Sequence, residues 1–133
     1  MITFQGAAYL QAQLDSILGQ SLPVHEIIVC DDGSTDGTRE ILADYAAIHP
    51  QIKLQFNTEN LGTVANMQQC LRLSTGDIIF LADQDDVWLP NKVEKTLAFF
   101  EQQPTAEAVF SNAEIIDEVG ETQFGMTLWD IIG

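Results

Sequence analysis

Twenty acidic residues against five basic ones give this 133-residue chain a formal charge of −15. Such a field repels nucleic acid and anionic lipid, so neither is expected as a direct partner of this segment. With 46% hydrophobic residues, 4 Pro and 9 Gly, the composition is that of one globular domain with a sizeable core, not of a disordered chain. No stretch approaches the ~18 apolar residues of a membrane span, and no basic-then-apolar leader is present.

In chain order, Met1-Ile2-Thr3-Phe4 is the stub of a strand. Leu10, Leu14, Ile17 and Leu18 recur at helical spacing, so Ala7 to Gly19 reads as an amphipathic helix. A strand follows over 26–30, then a helix from Thr38 to Ile48 that Pro50 closes, then an alternating strand from Ile52 to Phe56. Gly62 to Leu73 is predicted helical, 77–82 a strand, and Pro90 to Gln102 a helix stopped by Pro104. Ala108-Val109-Phe110 begins another strand extending toward Ile116, and 118–121 is a turn. Strands alternating with helices predict an α/β fold with a mostly parallel, doubly wound sheet. Leu128-Trp129-Asp130-Ile131-Ile132-Gly133 is apolar and would be a sticky end unless covered. The short first strand and this ending lead us to expect part of a longer enzyme, incomplete at both ends, that can self-associate through its apolar ends.

Two acidic clusters stand where predicted strands end. Apolar Ile27-Ile28-Val29-Cys30 runs into Asp31-Asp32-Gly33-Ser34-Thr35-Asp36, and Ile78-Ile79-Phe80-Leu81-Ala82 runs into Asp83-Gln84-Asp85-Asp86. Ligands of open α/β sheets bind outside the carboxyl ends of the strands, so both clusters are expected at one sheet edge. Carboxylates crowded together repel one another, and a cation relieves that repulsion. In the first cluster, Ser34, Thr35 or Asp36 can cap the following helix, while Asp31 and Asp32 can accept hydrogen bonds from a base or a ribose. An EF-hand reading fails, because the bidentate Glu needed at the twelfth loop position is Ala43. In the second, Asp83 and Asp85 are two residues apart on one side of an extended segment. Hard oxygen ligands at that spacing suit Mg²⁺ or Mn²⁺. Trp88 reads as core-lining, and Asn60-Leu61-Gly62 with Asn66 as a loop and a helix cap. Cys30 and Cys70 match no C-x-x-C pattern; reduced thiols are the simpler reading, with a disulfide left open.

Asp31-Asp32-Gly33-Ser34-Thr35-Asp36, Asn60-Leu61-Gly62, Gly76-Asp77 and Asp83-Gln84-Asp85-Asp86-Val87-Trp88-Leu89-Pro90 together resemble the family 2 glycosyltransferases of the GT-A fold. The closest flavour is the rhamnosyl- and glucosyltransferase-like group of bacterial polysaccharide synthesis. The resemblance implies that residues 1–133 are the nucleotide-sugar-binding part of such a domain. It implies a nucleotide-diphosphate-sugar donor (UDP- or dTDP-sugar), a divalent metal, inversion at the anomeric carbon, and a glycan or glycolipid acceptor. It also implies a cytoplasmic location, with the full-length enzyme peripheral at the inner face of the membrane. By position, Asp32 would hold the base of the nucleotide, with Asp31 beside it. Asp83 would lie against ribose or sugar and Asp85 would be the principal metal ligand. Thr3 and Phe4 would line the nucleotide pocket; Phe4 and Gln5 stand where the family has Tyr-Asn. The general base and the acceptor surface are expected after Gly133, so no base is assigned.

Two other readings compete. A truncated, inactive remnant of the same fold predicts weak or absent donor binding. A phosphoacceptor receiver domain would need a Lys beyond its last strands and an acidic pair after its first strand. Here no Lys follows Lys95, and Asp31-Asp32 follows the second strand.

Overall fold

The computed structural model describes residues 1–132, without the side chains of Phe124 and Ile132. The chain folds as two compact units, Met1–Lys95 and Thr96–Gly133. In the first, strands β1 (Ile2–Thr3), β2 (Ile27–Asp31) and β3 (Ile52–Phe56) form a parallel sheet in the order β1-β2-β3. Every residue of β2 is buried, as its unbroken apolar run requires of a central parallel strand. Its register places Cys30 beside Ile2 and Gln55, and Asp31 beside Thr3 and Phe56. All three strands therefore end at one level, and the chain leaves each of them there into a loop.

Helices α1 (Leu10–Leu18) and α2 (Thr38–Ile48) carry the two crossovers, and α3 (Thr63–Leu73) follows β3. Leu10, Leu14 and Ile17 of α1 are buried, as the helical spacing predicts, together with Ile27 to Cys30, Leu42, Ile52 and Cys70. One polar side chain, Gln13, is fully buried among them on α1. Its amide donates to the carbonyl of Asp83, and its Oε1 accepts from Ser16 Oγ. Gln20 does similar work further along, donating to the carbonyls of Ser16 and Leu89 and accepting from the amide of Val93. Both glutamines hold the stretch from Asp83 to Val93 against α1.

That stretch departs from expectation. No strand forms over 77–82; Ile78, Ile79 and Leu81 are exposed. A β-prone run becomes a strand only beside an edge able to pair with it, and β1 offers a ladder of two residues. Residues 76–90 are instead an irregular segment pinned by side chains. Trp88 is core-lining as predicted, tilted against Phe80 with ring centroids 5.6 Å apart, and Lys92 lies 4.7 Å above its ring. Helix α4 (Lys92–Gln102) follows.

In the second unit, β4 (Glu114–Ile116) and β5 (Thr122–Thr127) form an antiparallel hairpin with a bulge, followed by the single turn α5 (Leu128–Ile132). The strand expected from Ala108 begins only at Glu114. The turn predicted over 118–121 is present, with Gly120 at φ +83°. Asp117 organises it, accepting from the amides of Val119 and Glu121 and from Gln123 Nε2. Those hydrogen bonds hold its carboxyl below the usual carboxylate range. No helix among the described residues is long and apolar enough to cross a membrane.

Candidate functional site

The carboxyl end of the sheet is a web of side chains bonded to backbone. In the loop after β1, four successive amides each find a side-chain acceptor: Phe4 on Gln84 Oε1, Gln5 on Ser34 Oγ, Gly6 on Thr38 Oγ1 and Ala7 on Asp36 Oδ2. Gln5 sits at φ +52°, a left-handed conformation that Asn adopts more readily than Gln. Its amide group compensates by exchanging hydrogen bonds with Thr35 Oγ1 and the Thr35 amide.

The expected capping of α2 is only partly realised. Gly37 stands at the cap position with φ +99°, and Asp36 accepts from the Thr38 amide and hydroxyl. Ser34 and Thr35 serve the Gln5 loop instead.

Asp31 and Asp32 part company. The Asp31 carboxylate is fully buried, outside the pocket lining. It accepts from Thr3 Oγ1, from the amide and hydroxyl of Ser34, and from Arg39 Nε at 2.6 Å. Burial pushes this carboxyl up, but the donors from Ser34, Arg39 and Thr3 outweigh it and leave it below the usual carboxylate range. Arg39 also donates to the carbonyl of Asn57 and lies 5.2 Å from the Phe56 ring, which fastens β2 to the end of β3.

Asp32, by contrast, lines the pocket. Its Oδ1 accepts from Asn57 Nδ2 and the Leu61 amide, and its Oδ2 from the Gly62 amide alone. A carboxylate oxygen accepts about two hydrogen bonds, so among the described residues Oδ2 keeps a free acceptor position. Gly62 delivers its N–H from φ +82° and ψ 159°, a conformation open essentially to glycine alone. Asn57 is the hub behind Asp32: it also donates to Asn66 Oδ1 and accepts from Gln69, and Asn66 in turn donates to the Cys30 carbonyl.

The pocket itself holds about 190 Å³ and is lined by Ile2, Thr3, Phe4, Asp32, Thr63, Asn66, Asp83, Gln84 and Asp85. Five of the six residues singled out from the sequence (Thr3, Phe4, Asp32, Asp83 and Asp85) therefore meet in one hollow at the carboxyl end of the sheet. Phe4 contributes a half-exposed ring; its backbone N–H and C=O are both taken by the Gln84 amide. Next door, partial desolvation and then the charges of Asp83 and Asp85 raise the Asp86 carboxyl above its usual range, against the pull of Lys92.

The roles of Asn57 and Gln84 leave no signal in the sequence: Asn57 follows a strand end without a motif, and Gln84 sits unmarked between two acids while its partner is 80 residues away. Asn66, expected as part of a helix cap, instead lies buried inside α3, where its side chain bonds Asn57 and the Cys30 carbonyl and caps nothing.

Among the described residues, no group of three or more His, Cys, Asp or Glu is gathered as a self-sufficient metal cage. Mg²⁺ and Mn²⁺ take one or two carboxylates and keep waters where a ligand's phosphates complete their shell. The exposed carboxylates of Asp83 and Asp85 in the pocket fit this arrangement.

The family model for glycosyl transferase family 2 matches residues 1–131. EpsE of Bacillus subtilis (strain 168), named as a glycosyltransferase, is 40% identical over 112 residues, covering 84% of this chain and 40% of that protein. TuaG of the same organism, named for teichuronic acid biosynthesis, is 35% identical over 104 residues, or 78% of this chain and 41% of that one. Among solved structures, the mannosyltransferase PcManGT of Pyrobaculum calidifontis, in complex with GDP-Man and Mn²⁺, gives a TM-score of 0.66 at 28% identity over 87% of this chain and 34% of that one. The chain thus spans about two-fifths of the length of the curated relatives it matches. Its parallel sheet flanked by helices is the first part of the GT-A fold. With a family match running through residues 1–131, nearly its whole length, this chain belongs to glycosyl transferase family 2.

Proposed function

We propose that the pocket binds the nucleoside diphosphate of a sugar donor, as the donor-binding part of an inverting glycosyltransferase acting on a glycan or glycolipid acceptor. The observation that carries this reading is the meeting of Asp32, Asp83 and Asp85 around one hollow at the carboxyl end of a parallel sheet. The free acceptor position on Asp32 suits an N–H of the base, and the Phe4 ring offers a face for the base to pack against. Asp83 and Asp85 would hold Mg²⁺ or Mn²⁺ between protein and pyrophosphate. Bound there, the ion would act as a Lewis acid on the charge that develops on the leaving diphosphate.

The chain's own residues set the stage for that chemistry. Asn57, Leu61 and Gly62 fix Asp32 in one orientation. Arg39 and Asp31 lock the strand ends beneath it. A relative supports the donor class: PcManGT is named in complex with GDP-Man and Mn²⁺. Which base and sugar this chain takes is open to direct assay. Isothermal titration calorimetry with UDP, dTDP and GDP in millimolar Mn²⁺ is expected to give binding for at least one, weakened when EDTA replaces the metal. No heat from any of the three, with folded protein, would overturn the reading.

A further inference from the structure

The middle residue of Asp83-Gln84-Asp85 does something that neither acid does. Its side-chain amide lies along the backbone of Phe4, accepting from the Phe4 N–H at 2.9 Å and donating to the Phe4 carbonyl at 3.0 Å. A side chain thereby imitates one rung of a β-ladder, across 80 residues of sequence and beside a segment that forms no ladder of its own. The space it occupies exists because residue 6 is glycine. A Cβ at Gly6 would collide with the carbonyl end of the Gln84 amide, although the Gly6 backbone itself needs no left-handed conformation.

The two partners of this clasp are the two sides of the pocket. On one side, the loop from Phe4 to Ala7 is fixed to the sheet edge by Ser34, Asp36 and Thr38. On the other, the segment bearing Asp83 and Asp85 is tied through the Asp83 carbonyl to Gln13 on α1. Among the described residues, the hydrogen bonds of Gln84 to Phe4 are the ones that join the first side directly to the second. Without them the acidic segment's hydrogen bonds among those residues would come only from α1 and from Gln20 and Ser21 just after it.

We propose that Gln84 is a positioning residue: its amide fixes the spacing between the nucleotide-facing loop at Phe4 and the cation-facing carboxylates of Asp83 and Asp85. The proposal rests on the donor-binding reading above. A shared ion must reach Asp83 and Asp85 and the pyrophosphate of a nucleotide seated against Phe4 at the same time, so a spacing left loose weakens the two bindings together. The Gln84 amide is taken up by the Phe4 backbone, so it acts through the segments it joins.

Two substitutions approach the clasp from opposite sides. Gln84→Ala removes the amide, and Gly6→Ala displaces it with a methyl group while leaving Gln84 in the chain. The colliding atoms are the far end of a flexible side chain, so Gly6→Ala is expected to fold. Calorimetry with the best-binding nucleoside diphosphate, with and without Mn²⁺, reads the effect. Each variant should lose about tenfold in affinity in Mn²⁺, the scale of one or two hydrogen bonds. The gain in nucleotide affinity on adding Mn²⁺ should shrink in both. The double variant should be no weaker than either single one within about twofold, because both remove the same clasp. Amide exchange at Phe4 should quicken in both while thermal midpoints stay close to that of the parent protein.

Unchanged affinity in both variants, with the parent binding normally, overturns the positioning role alone. So does a loss that tracks the thermal midpoint and adds in the double variant, which marks a merely structural contact. Absence of nucleotide binding in the folded parent protein overturns the donor reading and this proposal with it.

Discussion

Replacing Asn57 by Asp changes one NH₂ group into an oxygen with no change of size, and it strikes the hub of the site. Asn57 is 6% exposed, and its Nδ2 donates to Asp32 at 3.0 Å and to Asn66 at 2.9 Å. In Asn57→Asp both bonds vanish, each worth about 1 kcal/mol net. The oxygens of Asp32 and Asn66 then face a carboxylate, which adds about 1–3 kcal/mol of repulsion and lost satisfaction. The sum, about 3–5 kcal/mol, is a large part of the ~5–15 kcal/mol that holds a domain folded. The direction with pH follows from the charge. Beside Asp32 the introduced carboxyl is easier to protonate in the folded state than in the unfolded chain, where its pKa is near ~3.9. Its folded pKa is raised, so the deficit is full above that pKa and shrinks as pH falls through it. Once protonated it can donate to Asp32 again and recover one of the two bonds. Urea unfolding followed by Trp fluorescence, variant against parent at pH 7.5 and pH 5, measures this. A deficit below ~1 kcal/mol at pH 7.5, or one that grows on acidification, would refute the hub role.

Other outcomes follow from neighbouring groups. Arg39→Met leaves the buried Asp31 carboxylate without its guanidinium and should cost about 2–4 kcal/mol in urea unfolding, somewhat below the usual toll for a broken buried pair because Arg39 is about a third exposed. In the parent protein the Asp31 carboxyl is held low, so its stabilising share is present above ~pH 4 and is lost as pH falls through its folded pKa; acid titration of Arg39→Met should show a smaller loss over that window. Gly62→Ala meets no steric obstacle at its Cβ, yet it forces a side chain into a glycine-only conformation. It should cost about 1–3 kcal/mol and weaken nucleotide binding through the N–H it aims at Asp32. Cys30 and Cys70 are both free and buried; burial first, then the neighbouring Cys70, pushes the Cys30 thiol up to about 11. Neither should react with iodoacetamide at pH 7.5 until urea unfolds the chain, as mass spectrometry would register.

Much of this architecture could be read from the chain, and the failures have a common cause. The segments Thr38–Ile48 and Ile52–Phe56 end where expected because local signals set them: an apolar face, a closing Pro50, a clean alternation. Residues 77–82 carry equally strong β-prone character but no neighbour to pair with, and pairing is not a local property. The same division runs through the pocket. Asp32, Asp83 and Asp85 announce themselves by clustering where apolar runs stop. Asn57 and Gln84 act through partners 25 and 80 residues away, and no pattern of spacing contains that information. Asp31 shows the limit from the other side, since two adjacent identical side chains at a strand end must point apart. One serves the core with Arg39 and the other the pocket, and identity alone does not distinguish them.

Nucleotide and cation are proposed to share the hollow between Asp32 and Asp83–Asp85. Paramagnetic broadening in ¹⁵N–¹H spectra addresses this directly, with trace Mn²⁺ added to the protein in the presence of saturating UDP or GDP. The amides of Thr3, Phe4, Asp32 and Asp83 to Asp85 should broaden first and recover on adding EDTA. Broadening centred instead on the exposed acids between Glu114 and Glu121, or none that depends on the nucleotide, would contradict the account.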